Sequence, residues 1–255
     1  MKNNMTQTKT NWLAIAVFAV LATAISAVTR EGAFDFYNTP QATILTLLIG
    51  AVIFIGLGPT LAALVSWKLF GRQNRTSSFM GTWSRGAVLI SVIPAMVFAA
   101  YGYPNDFGMN PHLAGGLIGV LLFLYALGEE IGWRGYMHDA LSPRPFWLRA
   151  LIIAPVWMLW HLWFLQGSAS LQAWVTGFVF LLIAAFFLSW LVSESRSWLS
   201  SAGFHCVANI GFLASVIDMP TQQRLMIAGT AFVLMVIVHS IWKRRRPSNE
   251  LSEAQ

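Results

Sequence analysis

The chain has 255 residues, of which 56% are hydrophobic and only 10% are charged, with a net charge of +6. A soluble domain usually carries about 25% charged residues, so this composition argues against a soluble protein and favours a polytopic membrane protein. The basic residues lie in short loops between apolar runs rather than in one patch, which argues against a nucleic-acid-binding role.

Eight apolar segments near the length of a membrane span follow one another along the chain. In chain order they are 12–28, 42–69, 86–102, 113–141, 146–166, 171–192, 197–217 and 223–242. The second segment contains Gly58-Pro59, where we expect a kink or a break. The polar tail, 247–255, is expected to be disordered. The sequence therefore predicts an all-α, polytopic membrane helix bundle of about eight spans, in a single domain over residues 1–255.

The basic residues also predict the orientation of this bundle. With a cytoplasmic amino terminus, thirteen Lys and Arg residues fall on the cytoplasmic side, against Arg30 and Arg224 outside, with Arg134 inside the membrane. This asymmetry follows the positive-inside tendency and predicts that both termini are cytoplasmic. The first segment could instead be a signal peptide with a cleavage site at residues 22–24, although its apolar run continues to Val28.

Two adjacent glutamates, Glu129 and Glu130, lie with Arg134 in the fourth segment. A charged side chain near the middle of a membrane helix costs about 2.5–3.5 kcal/mol, so this cluster must face other helices or water, and it indicates a functional site. Glu130 and Arg134 are four residues apart and can form an ion pair, whereas Glu129 points about 100° away around the helix. Small residues such as Gly128 and Gly132 would let a neighbouring helix approach closely.

Two later segments also place polar side chains deep in apolar helices. Trp157 and His161 share one face of the fifth segment, and His205 and Asn209 share one face of the seventh. A rise of about 1.5 Å per residue puts Glu129, His161 and His205 roughly 18, 22 and 13 Å from the same side of the bundle. Taken singly, these residues are explained by packing or interhelical hydrogen bonds. Their combination at compatible depth predicts one shared site.

Two carboxylates, two imidazoles and an amide suit the activation of water and the stabilisation of an oxyanion. The reaction class that this set suggests is peptide hydrolysis inside the membrane. The chain has no H-E-x-x-H zinc motif and no G-x-S-x-G nucleophile turn. Zinc bound by Glu129, His161 and His205 is an alternative, because two histidines, a glutamate and a water form a known catalytic zinc site.

Three motifs stand in the order found in a known family. They are Glu129-Glu130-x-x-x-Arg134, Trp157-x-x-x-His161 and His205-x-x-x-Asn209, within about residues 85–215. In these motifs the chain resembles the CPBP family, which includes the type II CAAX prenyl proteases and bacterial bacteriocin-processing or immunity proteins. Trp157 departs from the pattern, since the family more often has Phe at that position.

The resemblance implies an intramembrane endopeptidase of the glutamic type, with no cofactor. It also implies a role for each residue: Glu129 and His161 activate water, His205 and Asn209 form the oxyanion hole, and Glu130, Arg134 and Trp157 support the site. The compact chain looks bacterial, so the expected substrate is a membrane-bound peptide or protein in the cytoplasmic membrane rather than a prenylated CAAX protein.

Two other functions compete with proteolysis. One is a non-proteolytic bacteriocin-immunity or partner-binding protein, in which the polar cluster binds rather than hydrolyses. The other is an ion or solute transporter that uses Glu129 as a carrier group, although the chain shows no inverted repeat. We assign no chemistry to His138 and His239, near predicted helix ends, or to His112, in an outer loop. Cys206 is expected to be a small packed residue.

Overall fold

A computed structural model describes residues 10–37, 49–72, 74–105, 108–161, 170–212 and 219–245. Within these ranges the chain forms eight helices and no β-strand. The helices are α1 (Trp12–Tyr37), α2 (Leu57–Phe70), α3 (Ser84–Tyr101), α4 (Pro111–Ala140), α5 (Phe146–His161), α6 (Leu171–Ser195), α7 (Trp198–Phe212) and α8 (Thr221–Arg245). The all-α class predicted from the sequence is confirmed.

Each helix coincides with one predicted segment. By length and composition, five of them can cross a membrane: α1, α3, α4, α6 and α8. The apolar helices α2 and α5 are shorter. The predicted ranges 42–48, 162–166 and 213–217 and the tail lie outside the described residues. Eight crossings and two cytoplasmic termini therefore stay predictions.

Helix α4 lies at the centre of the bundle and positions the acidic pair. Asn110 caps its start by accepting from the backbone N–H of His112 at 2.9 Å, and Pro111 occupies the first turn, where a missing N–H has no consequence. The helix is α-helical to Glu130 and then π-helical over Ile131–Met137. Such π-helical turns occur frequently at functional sites. Here the irregular turn begins directly after the glutamates.

Small residues let α4 and the chain around the start of α2 come into backbone contact. A Cβ atom added at Gly128 would collide with the backbone oxygen of Gly56, and one added at Gly132 would collide with Pro59. The hydroxyl of Thr60 also donates to the carbonyl oxygen of Gly128 at 2.6 Å. The close approach expected from the glycines is therefore present.

The irregularity expected at Gly58-Pro59 lies just before that pair. The chain is π-helical over Ala51–Gly56 and α-helical from Leu57 onward. Pro59 has no N–H to donate, and its ring crowds the carbonyl four residues earlier, at Ile55. The wider π-helical turn accommodates this mismatch without ending the helix.

The core that surrounds α4 is rich in aromatic residues. Phe18 of α1 is fully buried, and its ring contacts Trp133 of α4 edge-on at 5.4 Å between centroids. Trp133 in turn contacts Trp160 of α5 at 6.1 Å. The hydroxyl of Tyr136 donates to the carbonyl oxygen of Ala14 at 3.4 Å. These contacts pack α1 into the bundle and fix the rotation of α4 about its axis.

Candidate active site

The two adjacent glutamates are both fully buried and have different partners. Oε1 of Glu130 accepts from Nη1 of Arg134 at 2.8 Å and lies 2.9 Å from Nδ1 of His205. Its other oxygen, Oε2, accepts a short hydrogen bond from the hydroxyl of Ser201. Glu130 thus joins α4 to α7 and forms the ion pair expected from the four-residue spacing. Its carboxylate is fully engaged in holding other side chains.

Glu129 has one engaged oxygen and one without a partner. Oε2 accepts from Nε1 of Trp157 at 2.9 Å. Oε1 is buried and has no hydrogen-bond partner among the described residues. A buried carboxylate oxygen normally has a partner, so this atom requires a chemical explanation.

Trp157 is the residue that connects the parts of the site. Its indole lies between Arg134, whose guanidinium carbon is 4.6 Å from the ring centroid, and the two histidines. The ring of His161 is 5.4 Å from the indole and the ring of His205 is 5.3 Å from it, centroid to centroid. The indole Nε1–H of Trp157 donates a hydrogen bond to Glu129, and a phenylalanine at position 157 would have no such donor.

The hydrogen bond of His161 determines which of its ring nitrogens carries the proton. Nδ1 lies 2.8 Å from the carbonyl oxygen of Trp157, one turn earlier in α5. A carbonyl oxygen can only accept, so Nδ1 carries a hydrogen, and in the neutral ring Nε2 presents a lone pair. Because the proton is on Nδ1, Nε2 of the neutral ring can act as an acceptor or a base. The His161 side chain is partly exposed.

Helix α7 presents Ser201, His205 and Asn209 at four-residue spacing, on one face. Ser201 and His205 both bind Glu130, whereas Nδ2 of Asn209 has no partner among the described residues. Ser201 was missed from the sequence because a serine in an apolar helix is common. The signal was its position four residues before His205.

A cavity of about 770 Å³ adjoins these residues. It lies between α5, α6, α7 and α8, and Trp157, His161, His205 and Asn209 are among the residues that line it. Most of the remaining lining is apolar. An apolar cavity with a few convergent polar groups is typical of a ligand-binding or active site.

The acidic residues of α4 do not line this cavity. Glu129, Glu130 and Arg134 have no exposed surface, and the indole of Trp157, which contacts both Glu129 and Arg134, lies at the cavity wall. The predicted residues therefore form one contiguous cluster with two compartments, a buried charged one and an open one that contains the imidazoles. Asn209 belongs to the second compartment.

The zinc alternative concerns the same three residues, Glu129, His161 and His205. Across the described parts of the chain, no group of three His, Cys, Asp or Glu side chains lies close enough together to hold a metal ion. Oε2 of Glu129 is bonded to Trp157 and Nδ1 of His205 to Glu130, so Oε1 and Nε2 are the atoms that these two residues could still offer to an ion.

Part of the chain matches a known protein family. Residues 111–211 match the family model described as Rce1-like, type II CAAX prenyl endopeptidase. The matched stretch, about two fifths of the chain, begins with α4, ends in α7 and contains every residue of the candidate site. This match confirms the family resemblance drawn from the three motifs. No curated protein matches the chain.

Proposed function

We propose, on the premise that residues 111–211 carry an Rce1-like type II CAAX prenyl endopeptidase domain, that this protein is an intramembrane endopeptidase. It hydrolyses a peptide bond of a membrane-associated peptide or protein with activated water and without a cofactor. The lipid bilayer is its second partner, and a bacterial cytoplasmic membrane is the expected location. The catalytic residues are Glu129, His161, His205 and Asn209.

The observation that carries this proposal is the unpaired oxygen of Glu129. Oε1 is buried beside Trp157, whose ring also contacts His161. A water molecule that donates one hydrogen to Oε1 of Glu129 and the other to Nε2 of His161 would give Oε1 its missing partner. Its oxygen lone pair would then point away from both groups, toward the cavity. This arrangement supports Glu129 as the general base and His161 as the residue that orients the water.

Hydrolysis begins with the water between Glu129 and His161. Glu129 takes one proton from the water while the water oxygen forms a bond to the carbonyl carbon of the scissile peptide. The carbonyl oxygen becomes an oxyanion, to which Nδ2 of Asn209 and Nε2 of His205 donate. Collapse of this intermediate breaks the C–N bond, and the leaving nitrogen takes the proton from Glu129. The products are a carboxylate, an amine and one released proton.

His205 can donate to an oxyanion only if its ring carries both protons. Nδ1 is directed at the carboxylate of Glu130, which can only accept while ionised, so Nε2 needs a second hydrogen to act as a donor. In that form His205 and Arg134 would together balance the charges of Glu129 and Glu130. Glu130, Arg134 and Trp157 thus support the site by fixing the position and charge of its reacting groups.

The proposal is tested by incubating the purified protein, in proteoliposomes, with membrane-anchored and membrane-spanning peptides in ¹⁸O-labelled water. Mass spectrometry should find a new carboxyl terminus that carries label, and Glu129→Gln should abolish it while the protein keeps its thermal unfolding transition. Unchanged turnover in Glu129→Gln would exclude Glu129 as the base. A substrate captured by this variant would identify the natural target.

The same assay decides between the glutamic and zinc mechanisms. Activity that persists after stringent chelation supports the metal-free mechanism. Activity that is lost on chelation and restored by zinc would instead assign Glu129, His161 and His205 as ligands.

The closed position of Glu129 behind Trp157 favours one second function, a non-proteolytic immunity or partner-binding protein. In that case the cavity would bind a peptide that never meets the acidic compartment. Protection of cells against a bacteriocin that survives both Glu129→Gln and His161→Ala would support this alternative. Loss of protection in both variants would support the protease.

A further inference from the structure

Helices α6 and α8 run in the same direction and meet only over part of their length. The described contacts between them begin at Phe187 of α6 and Phe232 of α8 and continue toward the carboxyl ends of both helices. The rings of Phe187 and Phe232 are 6.1 Å apart, and Glu194 and Lys243 form an ion pair at 3.4 Å. Between these two contacts, the rings of Trp190 and His239 lie 5.6 Å apart. These contacts close one end of the space between the two helices.

The 770 Å³ cavity lies along residues 177–188 of α6 and 225–232 of α8. None of the first ten residues of α6 is buried, although the helix is continuous there. Gly177 of α6 and Gly229 of α8 both line the cavity, and a Cβ atom added at either would meet no other atom within 4 Å. The cavity is therefore a wedge-shaped cleft, closed by Phe187 and Phe232 and open between the two glycines.

The floor of this cleft is the polar end of the candidate active site. His161 on α5 and His205 and Asn209 on α7 lie there, across from the glycines. An occupant that enters between α6 and α8 would thus meet the imidazoles and the amide first. The cleft is continuous with the catalytic groups and does not form a separate pocket.

The described residues that line the cleft are mostly apolar. Among the described residues that line it, none is Asp, Glu, Lys or Arg. Arg224 adjoins the lining residue Leu225, but its guanidinium donates to the carbonyls of Met219 and Gly211 and to the hydroxyl of Thr221. A charged side chain or a phosphate headgroup would lose most of its hydration on entering such a lining.

We propose that this cleft binds an uncharged, apolar segment of a membrane-embedded polypeptide, which is cut internally, with bulky side chains lodged between Gly177 and Gly229. The inference rests on the proposed endopeptidase function and specifies its substrate. The two glycines are specificity-determining residues, because their missing side chains leave the room that the substrate fills.

The first experiment compares cleavage of matched membrane peptides in proteoliposomes. One peptide has an apolar segment rich in Leu and Phe, a second carries a single Lys or Asp next to the scissile bond, and a third bears an acyl or isoprenoid chain on a short polar peptide. The charged peptide is expected to be cut about 100-fold more slowly, as the insertion penalty for one charge requires. Equal cleavage of the charged peptide, or cleavage of the lipidated peptide alone, would overturn the proposal.

The second experiment fills the cleft. Gly229→Leu adds bulk in open space, so the protein should fold, and helix propensity favours the change. It is expected to reduce kcat/KM for the Leu- and Phe-rich peptide about 10-fold and to spare an Ala- and Ser-rich peptide. Val233→Leu, on the exposed side of the same helix and outside the cleft, is the matched control. The same loss in both variants, or in neither, would overturn the proposal.

If no peptide is cut by the unmodified protein, the proposed function fails, and the cleft is then tested by binding. The Glu129→Gln variant is titrated with a fluorescent Leu-rich peptide, with and without Gly229→Leu. Binding that is about 10-fold weaker with Gly229→Leu would support the cleft as a peptide site even in an inactive protein. Binding that is absent, or insensitive to Gly229→Leu, would overturn it.

Discussion

Helix α4 carries two buried ionisable clusters, one after the other along its length, and they differ in what surrounds them. In the first, Glu129 lies beside the wall of the cavity and keeps one oxygen unpaired. In the second, Oδ1 of Asp139 accepts from the hydroxyls of Thr76 at 2.7 Å and Ser77 at 2.8 Å, while Oδ2 lies 3.9 Å from Arg72 and has no hydrogen-bond partner among the described residues. Both clusters are buried, but only the first adjoins a space that a substrate could enter.

The second cluster fastens a connection between helices. Thr76 and Ser77 belong to the loop between α2 and α3, and Ser77 also accepts from the indole of Trp198 on α7. His138, next to Asp139, lies 3.4 Å from Arg149 of α5. Burial of charge therefore does not by itself distinguish catalysis from support. What separates the two clusters is the cavity next to the first, whose wall contains Trp157, the hydrogen-bond partner of Glu129.

The largest effect is expected for Glu129→Gln. Since general-base catalysis contributes about 10²–10⁴-fold, turnover should fall by at least about 100-fold, and the unfolding transition should shift little because the Trp157 bond can be kept by the amide oxygen. Steady-state cleavage of a fluorogenic membrane peptide measures the loss. A variant with normal turnover would remove the distinction between the two clusters.

Arg134→Met should lower the stability of the protein more than it alters the catalytic step. Removing one partner of a buried ion pair leaves Glu130 uncompensated, and such losses amount to about 3–5 kcal/mol. Chemical denaturation in detergent should show this decrease in the free energy of unfolding. Arg134→Lys keeps the charge but not the planar guanidinium, and it should recover part of the loss. Unaltered stability in Arg134→Met would mean that the pair is not structural.

Asn209→Ala should lower kcat about 10²–10³-fold with little change in KM, the usual effect of losing one oxyanion donor. The unpaired Nδ2 atom at the cavity wall motivates this expectation. Cys206→Ala, on the same helix but in the packed core, serves as the control and should keep kcat. A parallel rise in KM would indicate that Asn209 binds the ground state instead.

Asp139→Asn tests the second cluster directly. The amide oxygen can still accept from Thr76 and Ser77, whereas the charge that faces Arg72 is lost, so we expect a loss of stability of about 1–3 kcal/mol. Cleavage by the folded fraction should be unchanged. Thermal unfolding and turnover measured on the same preparation separate the two outcomes. A selective loss of turnover would extend the catalytic site along α4.

The smallest effect is expected at the exposed ion pair between α6 and α8. Lys243 is about half exposed, and surface pairs contribute roughly 0–1 kcal/mol, so Lys243→Ala should barely change stability. Raising the salt concentration should have an equally small effect. A larger loss would show that the closed end of the cleft depends on this pair rather than on Phe187 and Phe232.

Hydropathy and residue spacing along the chain predicted much of the structure. Hydropathy located all eight helices, since each apolar run is bounded by polar or basic residues. The four-residue spacing predicted the ion pair of Glu130 with Arg134, which the structure contains. The same reasoning did not single out Asp139, and it placed His138 and His239 near helix ends without predicting their burial. The structure buries all three side chains. Their burial depends on loops and neighbouring helices, which periodicity within one helix does not describe.

The amino-acid sequence by itself determined the all-helical class and the set of polar residues that an apolar bundle would have to accommodate, because burial in lipid follows from composition and spacing along one chain. Only the tertiary structure decided that Glu129 bonds to Trp157, that Ser201 joins Glu130, and that α6 and α8 diverge around a cleft. Those features depend on side-chain directions and distances between helices far apart in the chain, and no local pattern encodes them.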